Sequence, residues 1–317
     1  MSTGPSRSMR VLALIFSFND ADVIDQTIAA ISRQTRAVDE ILVVDNASTD
    51  GTLEQPSLKN VTVLRHQENL GASGAICSGF QYALERGYDW IWTFDADAAP
   101  EPDALAKKLD LYANWPRSLQ DETAFIACLH RNARDGVVLY GRSRVLSRFG
   151  WTPVKPTPEQ RYYPCHFTTW SGCLYRAAAI HQVGLPNPHY FADWGEAEYG
   201  YRLMKAGYKG FTYQDAIHNH DVRGYASLRP VQIRRGGKTV TVLQFPPLRT
   251  YYTARNRLYL TLYDFAEVRP WIILRVIWQL AVMAVKLLLR PRTNAAHIPA
   301  FFRGVWHGVT GNIAARY

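Results

Sequence analysis

Four apolar runs in the first hundred residues each give way to polar side chains, and this alternation restricts the fold more than any other feature. Val11–Phe18, Glu40–Asp45, Asn60–His66 and Asp89–Phe94 read as strands. Between them, Ala21–Gln34 reads as an amphipathic helix opened by Asn19-Asp20, and Gly74–Gly87 as a helix that stops on a glycine. Strands alternating with helices imply a parallel, doubly wound α/β sheet with ligands at the carboxyl ends of its strands. The polar ends are Ser17 to Asn19, Asp45-Asn46, His66 to Asn69, and Asp95 with Asp97. They converge on one sheet edge, where a nucleotide is expected. Gly71-Ala72-Ser73-Gly74 follows the third strand and lacks the G-x-G-x-x-G spacing, so it does not mark a dinucleotide site. The chain also has no P-loop, zinc-type cysteine cluster or G-x-S-x-G elbow.

Asp95-Ala96-Asp97 closes the fourth strand, just before Pro100 and Pro102. Two carboxylates one residue apart at the end of a buried strand repel unless positive charge comes between them. A hard divalent cation that also grips a diphosphate would do this. The alternative is a loop whose acid side chains cap the next helix.

The charge is split along the chain. Up to residue 222 there are 21 Lys and Arg against 25 Asp and Glu, a net −4. From 223 to 317 there are 15 basic residues against only Asp264 and Glu267, a net +13. No nucleic-acid recognition motif accompanies this basic region, and an anionic membrane surface fits it better. The same region holds Trp271–Leu289, 19 residues interrupted by Arg275, Gln279 and Lys286. A charge near the middle of a spanning helix is costly. The pattern suits an interfacial helix, with a core helix of a C-terminal bundle as the alternative. Residues 1–9 are short, polar and basic, without an apolar core of signal-peptide length, and are expected to be disordered. Cys77, Cys128, Cys165 and Cys173 show no C-x-x-C spacing and are expected as free thiols in a reducing compartment. The expected location is cytoplasmic, peripheral at the inner face of the membrane.

The middle of the chain is less regular. Gly136–Phe149 reads as a hairpin or extended segment, and Trp151–Gln160 as a loop lying either over substrate or on the surface. His166–Trp170 reads as a strand. Asp193 to Tyr199 opens a helix running to Gly207, Lys209–Tyr213 is a further strand, and His218 and His220 follow.

Val43-Val44-Asp45-Asn46-Ala47-Ser48-Thr49-Asp50-Gly51, Asn69-Leu70-Gly71 and Phe94-Asp95-Ala96-Asp97 come in an order and spacing that resembles family 2 of the inverting GT-A glycosyltransferases. The resemblance covers about residues 10 to 260. Asn69-Leu70-Gly71-Ala72-Ser73-Gly74-Ala75, Trp194-Gly195-Glu196-Ala197-Glu198-Tyr199 and Tyr251-Tyr252-Thr253-Ala254-Arg255-Asn256 look like the bacterial galactofuranosyl- and rhamnosyltransferases. It implies a GT-A domain over 10–222, with a nucleotide half to about 115 and an acceptor half beyond, followed by a basic, helical, membrane-associating region over 223–317.

The resemblance also implies roles. Asp45 reads the pyrimidine base, helped by backbone near Ser17 and by Asn69, and Asn19, Asn46 and Gly71 are further donor-binding candidates. Asp95 touches ribose or metal beside Ala96, and Asp97 is a metal ligand. His220, 24 residues beyond Glu196, completes the metal site, while His218 is expected to point to the other side. Glu196 falls at the catalytic base, its alternative being a first-turn acid favoured by the helix dipole. Asp193, Trp194 and Glu198 are acceptor candidates. Trp170 matches the first of two sugar-lining tryptophans, the second being Ser171 here. Relatives often carry another acid at Gly195. Tyr251-Tyr252 with Arg255 and Arg257 either touches a lipid-linked pyrophosphate acceptor or packs the join between domains. Implied partners are a UDP- or dTDP-linked sugar, a glycan or polyprenyl-diphosphate-linked acceptor, and Mn2+ or Mg2+, of which Mn2+ tolerates a histidine better.

Overall fold

The structure is a computed structural model describing residues 9–133, 135–148, 150–157, 159–220, 229–235, 238–265, 270–289 and 295–317. Apart from Met9, the expected disordered N-terminus lies outside them. The nucleotide half contains β1 (Val11–Ser17), α1 (Ile24–Ser32), β2 (Glu40–Asp45), β3 (Thr62–Arg65), α2 (Gly71–Glu85), β4 (Trp90–Asp95), β5 (Ala99–Pro100) and α3 (Ala104–Ala113). Next come α4 (Arg117–Glu122), β6 (Thr123–Asn132), β7 (Arg144–Ser147), β8 (Gly150–Pro153), β9 (Tyr162–Cys165), β10 (Cys173–Arg176), α5 (Ala177–Val183), α6 (Gly195–Lys205) and β11 (Lys209–His220). The chain continues with β12 (Arg229–Arg235), β13 (Lys238–Gln244), α7 (Pro247–Tyr259), α8 (Pro270–Leu288) and α9 (His297–Val309).

Nine strands form the main sheet in the order β3-β2-β1-β4-β10-β6-β11-β5, with β9 also on β11. β1 to β4 are parallel, β10 is inserted antiparallel between β4 and β6, and β11 runs parallel to β6. Alternate residues of β1 serve opposite layers, since successive strand side chains face opposite ways. Val11, Ala13 and Ile15 pack toward α1 and α3, while Leu12 and Leu14 pack toward α2 and α5. Burial on both faces explains why β1 is almost uninterrupted apolar sequence.

Several boundaries differ from the sequence reading, and β11 runs on to His220 where the strand is expected to end at Tyr213. α2 begins at Gly71 rather than Gly74, because Gly71 takes a φ of 73° and the chain turns into the helix there. Residues 166–170 are not a strand: β9 ends at Cys165, and β10 begins only after Gly172 turns the chain at φ 78°. The hairpin in the middle region pairs Arg144–Ser147 with Gly150–Pro153, so it claims the first residues of the expected 151–160 loop. All four cysteines are free thiols.

In the C-terminal region α9 lies closely on α7. A β-carbon on Gly304 would fall 2.4 Å from the Tyr251 carbonyl oxygen, so only glycine permits that approach. α8 buries one stripe, Ile272, Val276 and Leu280. Val276 and Leu280 pack with Ala254, Leu258 and Phe301. The remainder of α8 is not a core helix: Leu274, Ile277, Trp278, Val285 and Leu288 are exposed. Among the described residues it is the one helix long and apolar enough to cross a membrane.

Candidate active site

β5 sets the geometry at the end of β4. Ala99 and Pro100 pair antiparallel with Asn219 and His218 of β11, which brings the last turn of β11 beside the Asp95–Asp97 loop. Arg131 reinforces this by binding both Asn219, at 2.8 Å, and Glu101. As a result His220 Nε2 lies 2.7 Å from Asp95 Oδ2. One ligand atom from each of Asp95, Asp97 and His220 falls within 4.8 Å of the others.

His218 does not point away from this group. Residues two apart in a strand share a face, and the rings of His130, His218 and His220 lie 4.9 to 5.9 Å apart. His218 sits a layer deeper, with Nε2 3.0 Å from Ser171 Oγ. That hydroxyl accepts the Asp95 backbone N–H at 3.0 Å. Burial pushes the pKa of His218 well down, and the neighbouring His130 and His220 add to it, so it is neutral. Ser171 therefore supports the Asp95 backbone.

The nucleotide edge is held by side-chain bonds, several of them between residues close in sequence. Ser17 Oγ donates to Asp20 Oδ2 at 2.9 Å, and Asn19 accepts from Thr49 N–H at 2.9 Å while adopting φ 58°. Asp45 is completely buried and accepts from Ser48 N–H at 3.1 Å, so in this conformation it braces the 46–48 turn. Asn46 donates to the Gly71 carbonyl at 3.2 Å and accepts from Leu70 N–H at 3.3 Å, tying the second strand end to the Asn69–Gly71 turn. Asn69 accepts from Gly71 N–H at 2.8 Å. The Ala96 carbonyl accepts from Thr27 Oγ1 at 2.5 Å, which anchors the carboxylate loop to α1.

Glu196 occupies the first turn of α6, partly buried. Burial pushes its carboxyl up to about 7, and the charges of Asp193 and Asp95 add to the shift. A carboxylate poised near neutrality suits proton abstraction. The turn ahead of it is strained, with Asp193 at φ 59° and Trp194 at φ 71°. Two such residues cost roughly 1–3 kcal/mol each and persist only when their surroundings hold them. α7 supplies the hold. Asn256 Nδ2 donates to the Ala192 and Asp193 carbonyls at 2.7 and 2.8 Å, Thr253 Oγ1 donates to Asp193 at 2.7 Å, and Arg249 pairs with Asp193 at 3.0 Å. Gly195 is explained by α2: a β-carbon there would lie 2.2 Å from Ser73 Oγ.

A cavity of about 610 Å3 opens beside Glu196, bordered by Asp193, Trp194, Arg249 and Arg257. Two expected acceptor residues do not reach it. Trp170 is 4% exposed and packs on Phe80, Tyr175 and Tyr199, because its stretch folds inward beneath β4. Glu198 is also buried, held by Arg202 and by Asn187 N–H at 3.3 Å, since two positions along a helix turn it away from Glu196. Tyr251, Tyr252 and Arg255 are buried in the join, whereas Arg257 faces the cavity. Arg249 is not singled out in the sequence, and Thr253 and Asn256 stand there only as members of the 251–256 motif, with no role assigned. Their i, i+4, i+7 spacing marks one face of a helix, but nothing in the sequence names its partner.

The glycosyl transferase family 2 model matches residues 13–184. Galactofuranosyltransferase GlfT1 of Mycobacterium tuberculosis is 27% identical over 259 residues, 78% of this chain and 81% of that protein. The N-acetylglucosaminyl-diphospho-decaprenol L-rhamnosyltransferase of the same organism is 26% identical over 58% of this chain and 67% of its own. Among solved structures, the mannosyltransferase PcManGT from Pyrobaculum calidifontis, in complex with GDP-Man and Mn2+, aligns at TM-score 0.54 and 16% identity over 95% of this chain and 87% of its own. GalNAc-T7 with UDP, GalNAc and Mn2+ aligns at TM-score 0.52 and 16% identity over 68% of this chain, which spans only 44% of that protein. The architecture is the GT-A fold with a helical C-terminal region, and the chain belongs to glycosyltransferase family 2.

Proposed function

We propose that this glycosyltransferase is metal-dependent and inverting, and that it moves galactofuranose from UDP-galactofuranose to a glycan or polyprenyl-diphosphate-linked acceptor in bacterial surface polysaccharide synthesis. The observation that carries this reading is the meeting of Asp95, Asp97 and His220 within 4.8 Å, with Glu196 near enough to respond to the Asp95 charge. The donor preference follows the names of the galactofuranosyltransferase relatives, and dTDP-rhamnose is the second donor because of the rhamnosyltransferase relative.

Asp95, Asp97 and His220 fit a divalent cation. Two mutually repelling carboxylates and an imidazole converge on one region, an oxygen and nitrogen set suited to Mn2+ or Mg2+. When bound, such an ion supplies positive charge to the departing nucleotide diphosphate. The remaining roles belong to the chain. Ser17, Asn19, Asp45, Asn46, Asn69, Gly71 and Ala96 shape the nucleotide edge. Glu196 takes the proton of the acceptor hydroxyl on a carboxylate oxygen, making it a competent nucleophile. Trp194 offers a ring face to the acceptor, and Asp193, gripped by Arg249 and Thr253, positions the start of α6. Attack opposite the leaving group inverts the anomeric centre.

In this reading residues 10–222 are the catalytic domain, and 223–317 bring it to the inner face of the membrane. Trp278 and Trp306 are exposed by 69% and 66%, beside exposed Leu274 and Phe302, in a region of net +13. Each cation near an anionic surface contributes about 1 kcal/mol.

The test is turnover of UDP-galactofuranose and dTDP-rhamnose with Mn2+, Mg2+ or EDTA, with and without a glycosyl acceptor, and with product stereochemistry read by NMR. Metal-dependent transfer with inversion is expected. Equal turnover in EDTA, a retained anomer, or release of free sugar unaffected by acceptor would each overturn the proposal.

A further inference from the structure

Three arginines from three elements, Arg144 of β7, Arg257 of α7 and Arg275 of α8, gather at the end of the active-site cavity nearest α8. The 610 Å3 cavity is bordered by Asp193 and Glu196 and also by Arg144, Arg257 and Gln279. A smaller cavity of about 70 Å3 shares Arg144, Trp194, Arg257 and Gln279 with it, and adds Arg275 with the apolar Ile272 and Val276 of α8. The acidic base, the cationic cluster and the apolar helix therefore follow one another along a continuous space.

Two of the three arginines, Arg144 and Arg257, bring positive charge that no carboxylate among the described residues offsets. Arg257 Nε is buried with no hydrogen-bond partner among the described residues. The other Arg257 contacts are the amide oxygen of Gln279 and the ring of Trp194, 5.0 Å from the guanidinium. Burial, followed by the charges of Arg275 and Arg144, pushes Arg257 down to about 10. Asp193 cannot neutralise the group, since Arg249 and Thr253 already hold it. Like charges crowded into a half-buried space are costly unless an anion joins them, and planar guanidiniums grip phosphate oxygens in pairs. Beside the cluster, Leu274, Ile277 and Trp278 present an exposed apolar surface.

We infer that Arg144, Arg257 and Arg275 bind the diphosphate of a lipid-linked acceptor, whose apolar chain leaves along α8 and whose sugar end extends toward Glu196. The direction of the sugar end rests on the glycosyltransferase reading. The anion site does not, and it is testable without any donor.

The probe is farnesyl diphosphate, titrated into the full-length chain in EDTA so that no cation can recruit it to the carboxylates. Binding is read by calorimetry, with farnesol and inorganic pyrophosphate as partial probes. Farnesyl diphosphate should bind, pyrophosphate should compete with it, and farnesol should bind far more weakly. Arg144→Gln and Arg257→Gln should each weaken farnesyl diphosphate binding about tenfold or more, the loss of one charge-assisted hydrogen bond. Co-sedimentation with phosphatidylglycerol vesicles should remain at the wild-type level in both variants. Affinities for farnesyl diphosphate within twofold of wild type would overturn the inference. So would a parallel loss of vesicle binding, which would make the cluster a phospholipid headgroup site. Should either glutamine variant fail to melt cooperatively, competition by pyrophosphate in the wild-type chain decides, and its absence would equally overturn the inference. No transfer from either nucleotide sugar, with farnesyl diphosphate binding intact, would instead count against the proposed donor and mechanism alone.

Discussion

At the nucleotide edge, the contacts of Asn19 with Thr49, Asn46 with Gly71 and Ser17 with Asp20 join residues 30, 25 and 3 positions apart, although Thr27 reaches the Ala96 carbonyl across 69. Around the acceptor cavity they join residues 56 to 66 positions apart: Arg249, Thr253 and Asn256 to the Ala192–Asp193 turn, and Arg255 to the His189 carbonyl. The first region is braced by loops that follow their own strands. The second exists only because α7 returns to clamp a strained turn. The nucleotide edge should therefore tolerate changes in the C-terminal helices, while the placement of Glu196 should not.

The largest effect expected is from Glu196→Gln. Removing a general base costs roughly 10²–10⁴-fold, so transfer should fall by that order while UDP binding measured by calorimetry stays nearly unchanged. Unchanged transfer would break the assignment. The same carboxyl gives a pH signature. It must be ionised to act, so the rate should fall as pH drops through about 7. The linkage has the opposite sense: a carboxyl raised in the folded state favours folding at low pH, and that advantage is lost as pH rises through about 7. Glu196→Gln should therefore melt higher than wild type at pH 8, with the difference narrowing toward pH 4.

Next in size is Asn256→Ala. It leaves the Ala192 and Asp193 carbonyls without their donor, a loss of roughly 1–3 kcal/mol at buried groups. Transfer should fall about tenfold or more with UDP affinity preserved, the outcome that most sharpens the contrast between the two regions. Equal losses in both measurements would dissolve it.

Trp278→Ser should reduce sedimentation with anionic vesicles several-fold, about what removing an exposed aromatic from a lipid boundary does. Transfer to a water-soluble acceptor should be unaffected. The smallest effect on catalysis is expected at Trp170. Trp170→Phe should lower the melting temperature, because a core contact is lost at a cost of about 1–3 kcal/mol. The acceptor KM should not move, and a raised KM would show that Trp170 reaches the sugar after all.

Much of the nucleotide half was legible from its residues. The β1, β2 and β4 patterns follow from periodicity and from burial on both faces, and the polar strand ends lie where a parallel sheet puts them. The conjunction of Asp95, Asp97 and His220 came through resemblance rather than spacing, since 123 positions separate the last two. His218 was misjudged on its facing, although i and i+2 in a strand share a side. Trp170 is expected at the acceptor site because it matches a sugar-lining tryptophan, and Glu198 because it shares the Glu196 motif. Motif proximity says nothing about which way a side chain points once the chain turns at Gly172 or advances two positions along a helix.

The amino-acid order alone determined the alternating layers, the polar edge and the division between an acidic front and a basic back, because these arise from local periodicity and composition. Tertiary structure decided the rest. It drew β11 against β5 so that an imidazole reaches two carboxylates, brought α7 onto the turn before Glu196, and set Arg144 and Arg257 beside Arg275 of an apolar helix. Such groupings depend on strands and helices far apart in the chain packing together, and no local pattern encodes which remote side chain will arrive.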